Sequence, residues 1–339
     1  MKKLKFALIG AGFWSRYQLH GWKELQGVEC VALCDQTRTK AEALAAQVGI
    51  PRVYANPSEM LRREELDFVD ICTNVESHVN LIKLAADRGL PSICQKPLAP
   101  SYQSAQDAVE YCRKRGVLLL VNENWRWQVA MRIIAGEIGR GKLGKPWRAA
   151  MRFASSFPVF DNQPALRELN QFILTDVGTH LLDAVRFLFG EARSVYCQSH
   201  KINSGIRGED AVSVLLKMDN GMTVYVDISY ASRLENERFP QTYLTIEGED
   251  ASLELGFDYW IRVTDKAGTV ARRHPPLEYP WANPSYGNIH ASIVDTQRNL
   301  LEGLNGTGVA ETTGEDNLKT LRLVYGCYES AEQSRVITV

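Results

Sequence analysis

Up to about residue 121 the chain alternates short apolar runs with amphipathic stretches. Residues 4–9, 28–34, 67–73, 92–94 and 117–121 read as buried strands, with a short one at 52–54, and 14–25, 37–48, 77–88 and 102–115 carry helical periodicity. Strands this uniformly apolar are covered on both faces. The pattern therefore predicts a parallel sheet of six strands between helical layers, the architecture of a dinucleotide-binding domain.

Beyond residue 121 the texture changes. Helical periodicity at 128–138 and 175–189 is followed by a long alternating region across 195–270. Val212, Val214, Leu216 and Met218 alternate toward Asn220-Gly221, and Met222, Val224, Val226 and Ile228 alternate away from it. That is a hairpin closed by a turn favouring positive φ. Two further helices, about 288–304 and 314–334, close the sequence. A chain of 339 residues is too long for one ordinary core. The expected fold is an α/β Rossmann domain over 1–122, followed over 123–339 by an α+β domain with a large, mostly antiparallel open sheet.

The first strand runs straight into Gly10, Ala11 and Gly12 and then a helical stretch. A strand delivers a pyrophosphate to a helix N-terminus in this way. Gly10 permits the tight turn, Gly12 lets the backbone approach the phosphates, and the first-turn N–H groups supply partial positive charge. Ser15 stands where the third glycine of G-x-G-x-x-G would be, and Phe13 and Trp14 are counted with the expected cofactor contacts. Asp35 ends the second strand 25 residues beyond Gly10, near the spacing at which a carboxylate hydrogen-bonds the adenosine ribose. Such a carboxylate repels a 2′-phosphate and favours NAD over NADP, while Arg38, three residues on, could receive that phosphate instead. Asp35 can also cap a helix over 37–48.

With 39 Lys and Arg against 40 Asp and Glu, no net field draws the chain to nucleic acid or to an anionic membrane, and a small-molecule partner is expected. No apolar run approaches the roughly 18 residues of a membrane span. The N-terminal run, interrupted by Lys5 and broken at Gly10, reads as a strand and not as a signal peptide. The seven cysteines are odd in number and form no C-x-x-C pair, and Cys30, Cys34, Cys72 and Cys94 fall within strands. Neither a metal nor a redox disulfide is signalled, and a reducing, cytoplasmic location is expected.

Three places could do chemistry. In TDVGTHLLD, Asp176 and His180 are four apart and share one helix face, with Asp183 on the same stripe. An imidazole accepts protons near neutral pH, and an adjacent carboxylate orients it. Capping by Thr175 or Asp176 together with a core histidine accounts for the same pattern. Lys96 ends the run SICQK before Pro97. At the carboxyl end of a parallel strand it would border the ligand crevice, where an ammonium steadies alkoxide character; a solvated lysine fits the position equally. Asn122, Asn124, Trp125, Arg126 and Trp127 cluster at the domain crossing, as a ligand site or as an apolar belt. In the loops 155–171 and 279–288, Arg167, Trp281 and Tyr286 are pocket candidates by residue type alone.

Taken in chain order, GAGFWS, CTNVESHVNLIKLAADRGLPSICQKPLA, TDVGTHLLD and the tail ESAEQSR resemble four blocks of the Gfo/Idh/MocA superfamily of glucose-fructose oxidoreductase, inositol dehydrogenase and rhizopine-catabolism proteins. The resemblance spans essentially the whole length. It implies an NAD(P)-dependent oxidoreductase acting on CH-OH groups, a dehydrogenase passing hydride from a sugar or polyol to nicotinamide. Lys96, Asp176 and His180 match the family's catalytic lysine, aspartate and histidine, and with Arg126 its substrate contacts. Gly10, Gly12, Asp35, Thr73, Asn74, His78, Gln95, Lys96 and Asn124 match positions that line the cofactor. Gln95 departs from the glutamate usual before that lysine, and the Lys96–Pro97 bond is often cis in relatives. CQKPLAP with NENWRWQ looks most like the branch that oxidises the branched pentose D-apiose to its lactone. The alternatives are relatives that use NAD without net redox, in glycoside cleavage or epimerisation, and a non-catalytic nucleotide-sensing protein. Relatives associate through the exposed face of the second-domain sheet, so a homodimer or homotetramer is expected.

Overall fold

Apolar runs that need cover on both faces become a parallel sheet in the computed structural model, which describes residues 3–339. Its strands are β1 (Leu4–Ile9), β2 (Val28–Cys34), β3 (Arg52–Tyr54), β4 (Phe68–Ile71), β5 (Ser92–Gln95) and β6 (Leu119–Asn122). They lie in the order β3-β2-β1-β4-β5-β6, all parallel, which is the doubly wound arrangement. The helices between them are α1 (Phe13–Lys23), α2 (Arg38–Val48), α3 (Pro57–Arg63), α4 (Val75–Ala86) and α5 (Tyr102–Lys114). Of these only α3 falls outside the sequence expectation. Its seven residues are too short for a periodicity, and it is set locally by Asn56, whose Oδ1 accepts from Glu59 N, and by Pro57 in the first turn.

The chain folds as two units. The first takes in residues up to Asn124, then Pro280–Ala282 and Ile293–Lys319, and is therefore discontinuous in sequence. Its core stacks Phe6 on Phe68 (centroids 4.9 Å apart) and sets Trp22 against both. Leu300 and Leu301 join from helix α9 (Gly287–Asn305).

A carboxylate is enclosed beside this cluster. Asp70 on β4 has no exposed surface and accepts from Trp22 Nε1 (2.7 Å) and Asn122 Nδ2 (3.2 Å). Burial outweighs those two bonds and pushes its pKa up to about 7. Between the unfolded carboxyl value and about 7 the unfolded chain ionises while the folded one stays protonated, so stability falls as pH rises through that window, by at most roughly 4 kcal/mol. Asp70→Asn removes this titration. The gap in melting temperature between wild type and the variant is expected to shift in the variant's favour from pH 4 to pH 7 and then level off. A gap independent of pH in thermal melts would contradict it.

The second unit comprises Trp125–Tyr279, Asn283–Ser292 and Thr320–Val339. Helix α6 (Val129–Gly139), strand β7 (Pro146–Ala154), a short α7 (Val159–Asn162) and α8 (Thr179–Phe189) precede β8 (Ala192–His200), β9 (Ala211–Met218) and β10 (Thr223–Ser229). Then follow β11 (Thr242–Gly248), β12 (Ser252–Leu255), β13 (Trp260–Asp265), β14 (Gly268–Arg273), α10 (Gly314–Gln333) and β15 (Ile337–Thr338). The nine strands form one open sheet, β14-β13-β12-β11-β7-β10-β9-β8-β15, antiparallel except where β10 lies parallel to β7. The β9–β10 hairpin pairs Val212 with Ile228 and Val214 with Val226, closed at Gly221, whose φ is +89°. Alternate residues of β9 and β10 are buried, and α8 packs on that face. Trp147 (49 % exposed), Leu215 and Tyr225 stand out of the sheet toward solvent. The central strand β7 and the short β15 lie outside the sequence expectation. Among the described residues no helix is long and apolar enough to cross a membrane.

Candidate active site

The glycine turn is built as its residue types require. Gly10 has φ +113°, and a Cβ there would stand 2.1 Å from Cys72 O, so no side chain fits. Gly12 caps α1 with nothing within 4 Å of a would-be Cβ, and the first turn of α1 carries no acidic residue. An open helix N-terminus with approachable backbone fits a pyrophosphate. Ser15, in the third glycine's place, is fully buried; its Oγ accepts from Gly12 N (3.2 Å) and donates to Cys72 O (3.4 Å). Asp35 bridges the turn to the next loop, accepting from Ala11 N and Thr37 N, both at 2.7 Å. Helix α2 begins at Arg38 with Thr37 as its cap, so Asp35 is not that cap. The exposed Arg38 pairs with Glu42 one turn along (2.8 Å). Phe13, Trp14 and Tyr17 form an edge-to-face cluster on α1.

Lys96 follows β5 at the carboxyl edge of the parallel sheet, half-buried, with a cis peptide to Pro97. His78 braces it from α4: Nδ1 meets Pro97 O at 3.0 Å and Nε2 meets Thr73 O at 3.1 Å. The ring is buried, which lowers its pKa despite those carbonyls. His78 thus ties the Thr73-Asn74 corner to the lysine and has no surface left for a ligand. Ser77 Oγ donates to Thr73 Oγ1 (2.7 Å) and to Asn74 O (2.9 Å), fixing the same corner. Gln95 pairs with Asn122 across β5 and β6, and Glu123 and Asn124 beyond it are buried.

In the second unit the TDVGTHLLD segment opens with a π-helical turn, Leu174–Gly178, which carries Asp176; His180 lies at the start of α8. Such single-turn widenings re-aim a side chain. Trp125 stacks on the His180 ring, centroids 4.6 Å apart at 22°, and is held by its own Nε1 donating to Thr242 Oγ1 (2.9 Å). Tyr230 Oη donates to Asp176 Oδ2 at 3.4 Å. Burial and the Asp176 charge raise the Tyr230 pKa well above its ordinary value and keep the phenol a donor. The amides of residues 172–174 are taken by Glu209. Thr175 instead donates its hydroxyl back to Gln171 O and Phe172 O.

Arg126, expected at the substrate, is buried against Asp183: Nε to Oδ2 is 2.7 Å and Nη2 to Oδ1 is 2.5 Å. Thr320 Oγ1 also donates to Asp183 (3.1 Å). Of the residues picked by type, Tyr286 is buried edge-on to Phe157 and Phe239. Trp281 stacks on His20 and donates to Glu24 (2.8 Å), and Arg167 lies over the Phe160 ring. No motif or spacing in the sequence marks Tyr230 or Glu209. Both sit beside strand ends, and their partners lie 54 and 35 residues away.

Residues 4–123 match the oxidoreductase family with an NAD-binding Rossmann fold, and residues 131–254 match the C-terminal domain of GFO/IDH/MocA proteins. The chain is 41 % identical to a D-apiose dehydrogenase of Paraburkholderia graminis, over 99 % of this chain and 90 % of that one. It is 37 % identical to a D-apiose dehydrogenase of Rhizobium rhizogenes, over 100 % and 98 %. A crystal structure of an oxidoreductase from Agrobacterium radiobacter, in complex with NAD+, L-tartaric acid and magnesium, superposes with a TM-score of 0.97 at 36 % identity, covering 99 % of this chain and 98 % of the other. A nucleotide-ready glycine turn, a lysine after the fifth strand and an Asp-x-x-x-His helix before an open sheet accompany these matches, and the chain belongs to the Gfo/Idh/MocA family of NAD-dependent oxidoreductases.

Proposed function

We propose that this oxidoreductase acts on the branched pentose D-apiose and converts it to its lactone with NAD as the hydride acceptor. The observation that carries the reading is the held imidazole. His180 is stacked face-on by Trp125, and four residues before it Asp176 receives the Tyr230 phenol. A proton acceptor fixed in one orientation is what hydroxyl oxidation needs. His180 takes the proton of the substrate hydroxyl, Asp176 stabilises the charged imidazole, and the Lys96 ammonium steadies negative charge as it develops. Bound NAD supplies the nicotinamide that accepts the hydride. Asp35 disfavours a 2′-phosphate, and Arg38 is engaged with Glu42. The D-apiose dehydrogenases to which the chain is similar support the substrate.

Exposed Trp147, Leu215 and Tyr225 on the open sheet support association of this chain with copies of itself. Seven free thiols, six of them buried, suit the reducing cytoplasm. The test is a panel of D-apiose, common aldoses and inositol incubated with NAD, with reduced nicotinamide followed by absorbance and the preparation sedimented in parallel. NADH accumulation fastest with D-apiose, from a species heavier than one 38.1 kDa chain, is expected. Flat absorbance across the panel defeats the dehydrogenase, and product without NADH points to chemistry with no net redox.

A further inference from the structure

Three consecutive backbone amides ahead of Asp176 are taken by one residue. Glu209 Oε2 accepts from Phe172 N (3.2 Å), its carbonyl from Ile173 N (3.2 Å), and Oε1 from Leu174 N (3.1 Å). A helix leaves such amides without partners of its own, and a carboxylate there also opposes the positive end of the helix dipole. Glu209 is buried and tethered, since Tyr328 Oη donates to Oε1 at 2.7 Å.

Its neighbours make the brace possible. A Cβ on Gly208 would come within 2.7 Å of Leu169 O and 3.0 Å of Phe172 N, so glycine alone lets this strip of chain lie directly on the segment before the π turn. Arg207 N donates to Arg167 O (2.9 Å) along the same seam. Asp210 closes the loop by accepting from Ile202 N (2.6 Å) and Asn203 N (2.9 Å). The Asp210 carbonyl then accepts from Tyr230 N (2.9 Å), and Tyr230 is the residue whose phenol reaches Asp176. Gly208, Glu209 and Asp210 therefore fix Asp176 from two directions, through the start of its own turn and through its hydrogen-bond donor.

We infer that Glu209 is a positioning residue for proton transfer: it sets the backbone at the start of the π turn and so the orientation of Asp176 and His180. The inference rests on the roles proposed above for those two residues. A purely structural glutamate would lower the folded fraction and leave the folded enzyme's chemistry alone. A positioning glutamate changes the chemical step in protein that remains folded.

Glu209→Gln keeps one acceptor oxygen and loses the second, together with the charge. In this variant kcat is expected to fall about tenfold, a fraction of the roughly 10²-fold loss that 1 Å of misplacement can cause. NAD affinity stays at the wild-type value. The isotope effect on kcat for a sugar deuterated at the oxidised carbon rises as the chemical step becomes limiting. Amide deuterium exchange accelerates at 172–178 and not across the first unit. Tyr328→Phe removes the tether on Glu209 together with the phenol's contacts to Thr175 and leaves the Glu209 carboxylate in place; it is expected to lose about threefold in kcat with the fold intact, so the inference stays testable should Glu209→Gln fail to fold. Wild-type kcat and isotope effect in folded variants would overturn the inference. If the wild-type enzyme oxidises no sugar, the proposed function fails on its own account; exchange at 172–178 that matches wild type in Glu209→Gln then sinks the positioning role separately.

Discussion

His180→Ala is expected to lower kcat with D-apiose by about 10²- to 10⁴-fold, the usual worth of a positioned general base. Lys96→Ala follows with a loss of about 10²- to 10³-fold, the scale on which a single donor to a developing oxyanion acts. Both losses should fall on the chemical step. Without the imidazole, no group takes the hydroxyl proton, and the loss falls on kcat while NAD affinity holds, because the glycine turn and Asp35 keep their own hydrogen bonds. Without the ammonium, a contact that strengthens as charge develops is lost, so kcat and kcat/KM fall together. Steady-state rates and NAD titration of the purified variants read both. Near-wild-type turnover in both would remove the proposed chemistry, and a rise in KM alone for Lys96→Ala would reduce the lysine to a binding contact. Truncating His180 also exposes the face of Trp125, so the comparison is made well below each variant's melting temperature.

The parts of this molecule that could be read from sequence are those whose physics is local. The parallel strands show because burial on both faces makes them continuous apolar runs, and the hairpin shows because alternation meets an Asn-Gly turn that needs positive φ. Strand β7 is central yet silent. Its buried positions include Ala149 and Ala154, its exposed ones Arg148 and Arg152, and its partners β10 and β11 lie far along the chain. Periodicity likewise announces that α9 has a face to bury without saying against what. Gln297 in that helix donates to Gln18 O and Oε1, and Thr312 beyond it donates to Val121 O, both within the first unit.

The candidate chemistry divides the same way. Gly10, Gly12, Asp35 and the Asp176–His180 spacing are visible as residue types at fixed offsets. Glu209, Tyr230 and the stacking of Trp125 on His180 arise only when distant segments meet, and no offset encodes them. Arg126 is the instructive intermediate. Its type and place suit an anion or sugar contact, while its surroundings supply a buried carboxylate that engages both edges of the guanidinium.

That pair carries the second large expected effect, a loss of about 3–5 kcal/mol in Asp183→Ala. Asp183 has no exposed surface, Arg126 is 5 % exposed, and Arg186 stands 3.8 Å from the same carboxylate while pairing with Glu191. Removing the carboxylate takes a charge partner from one buried guanidinium and part of the field from a second, whereas replacing both partners of the main pair by apolar groups removes the first guanidinium along with its carboxylate. Urea unfolding of the second unit is therefore expected to shift strongly in Asp183→Ala and to recover much of the loss in Arg126→Met/Asp183→Leu. An unchanged midpoint in Asp183→Ala would refute the buried ion pair. The double variant also decides what Arg126 does in the reaction. Arg126 adjoins Trp125, and Asp183 lies one turn beyond His180, so the pair ties the stacking tryptophan to the helix that carries the imidazole. A strut of this sort, once replaced, lowers kcat as the imidazole loosens and leaves the KM for sugar in place. A substrate contact, once removed, raises that KM while kcat holds, and such a result would return Arg126 to the sugar.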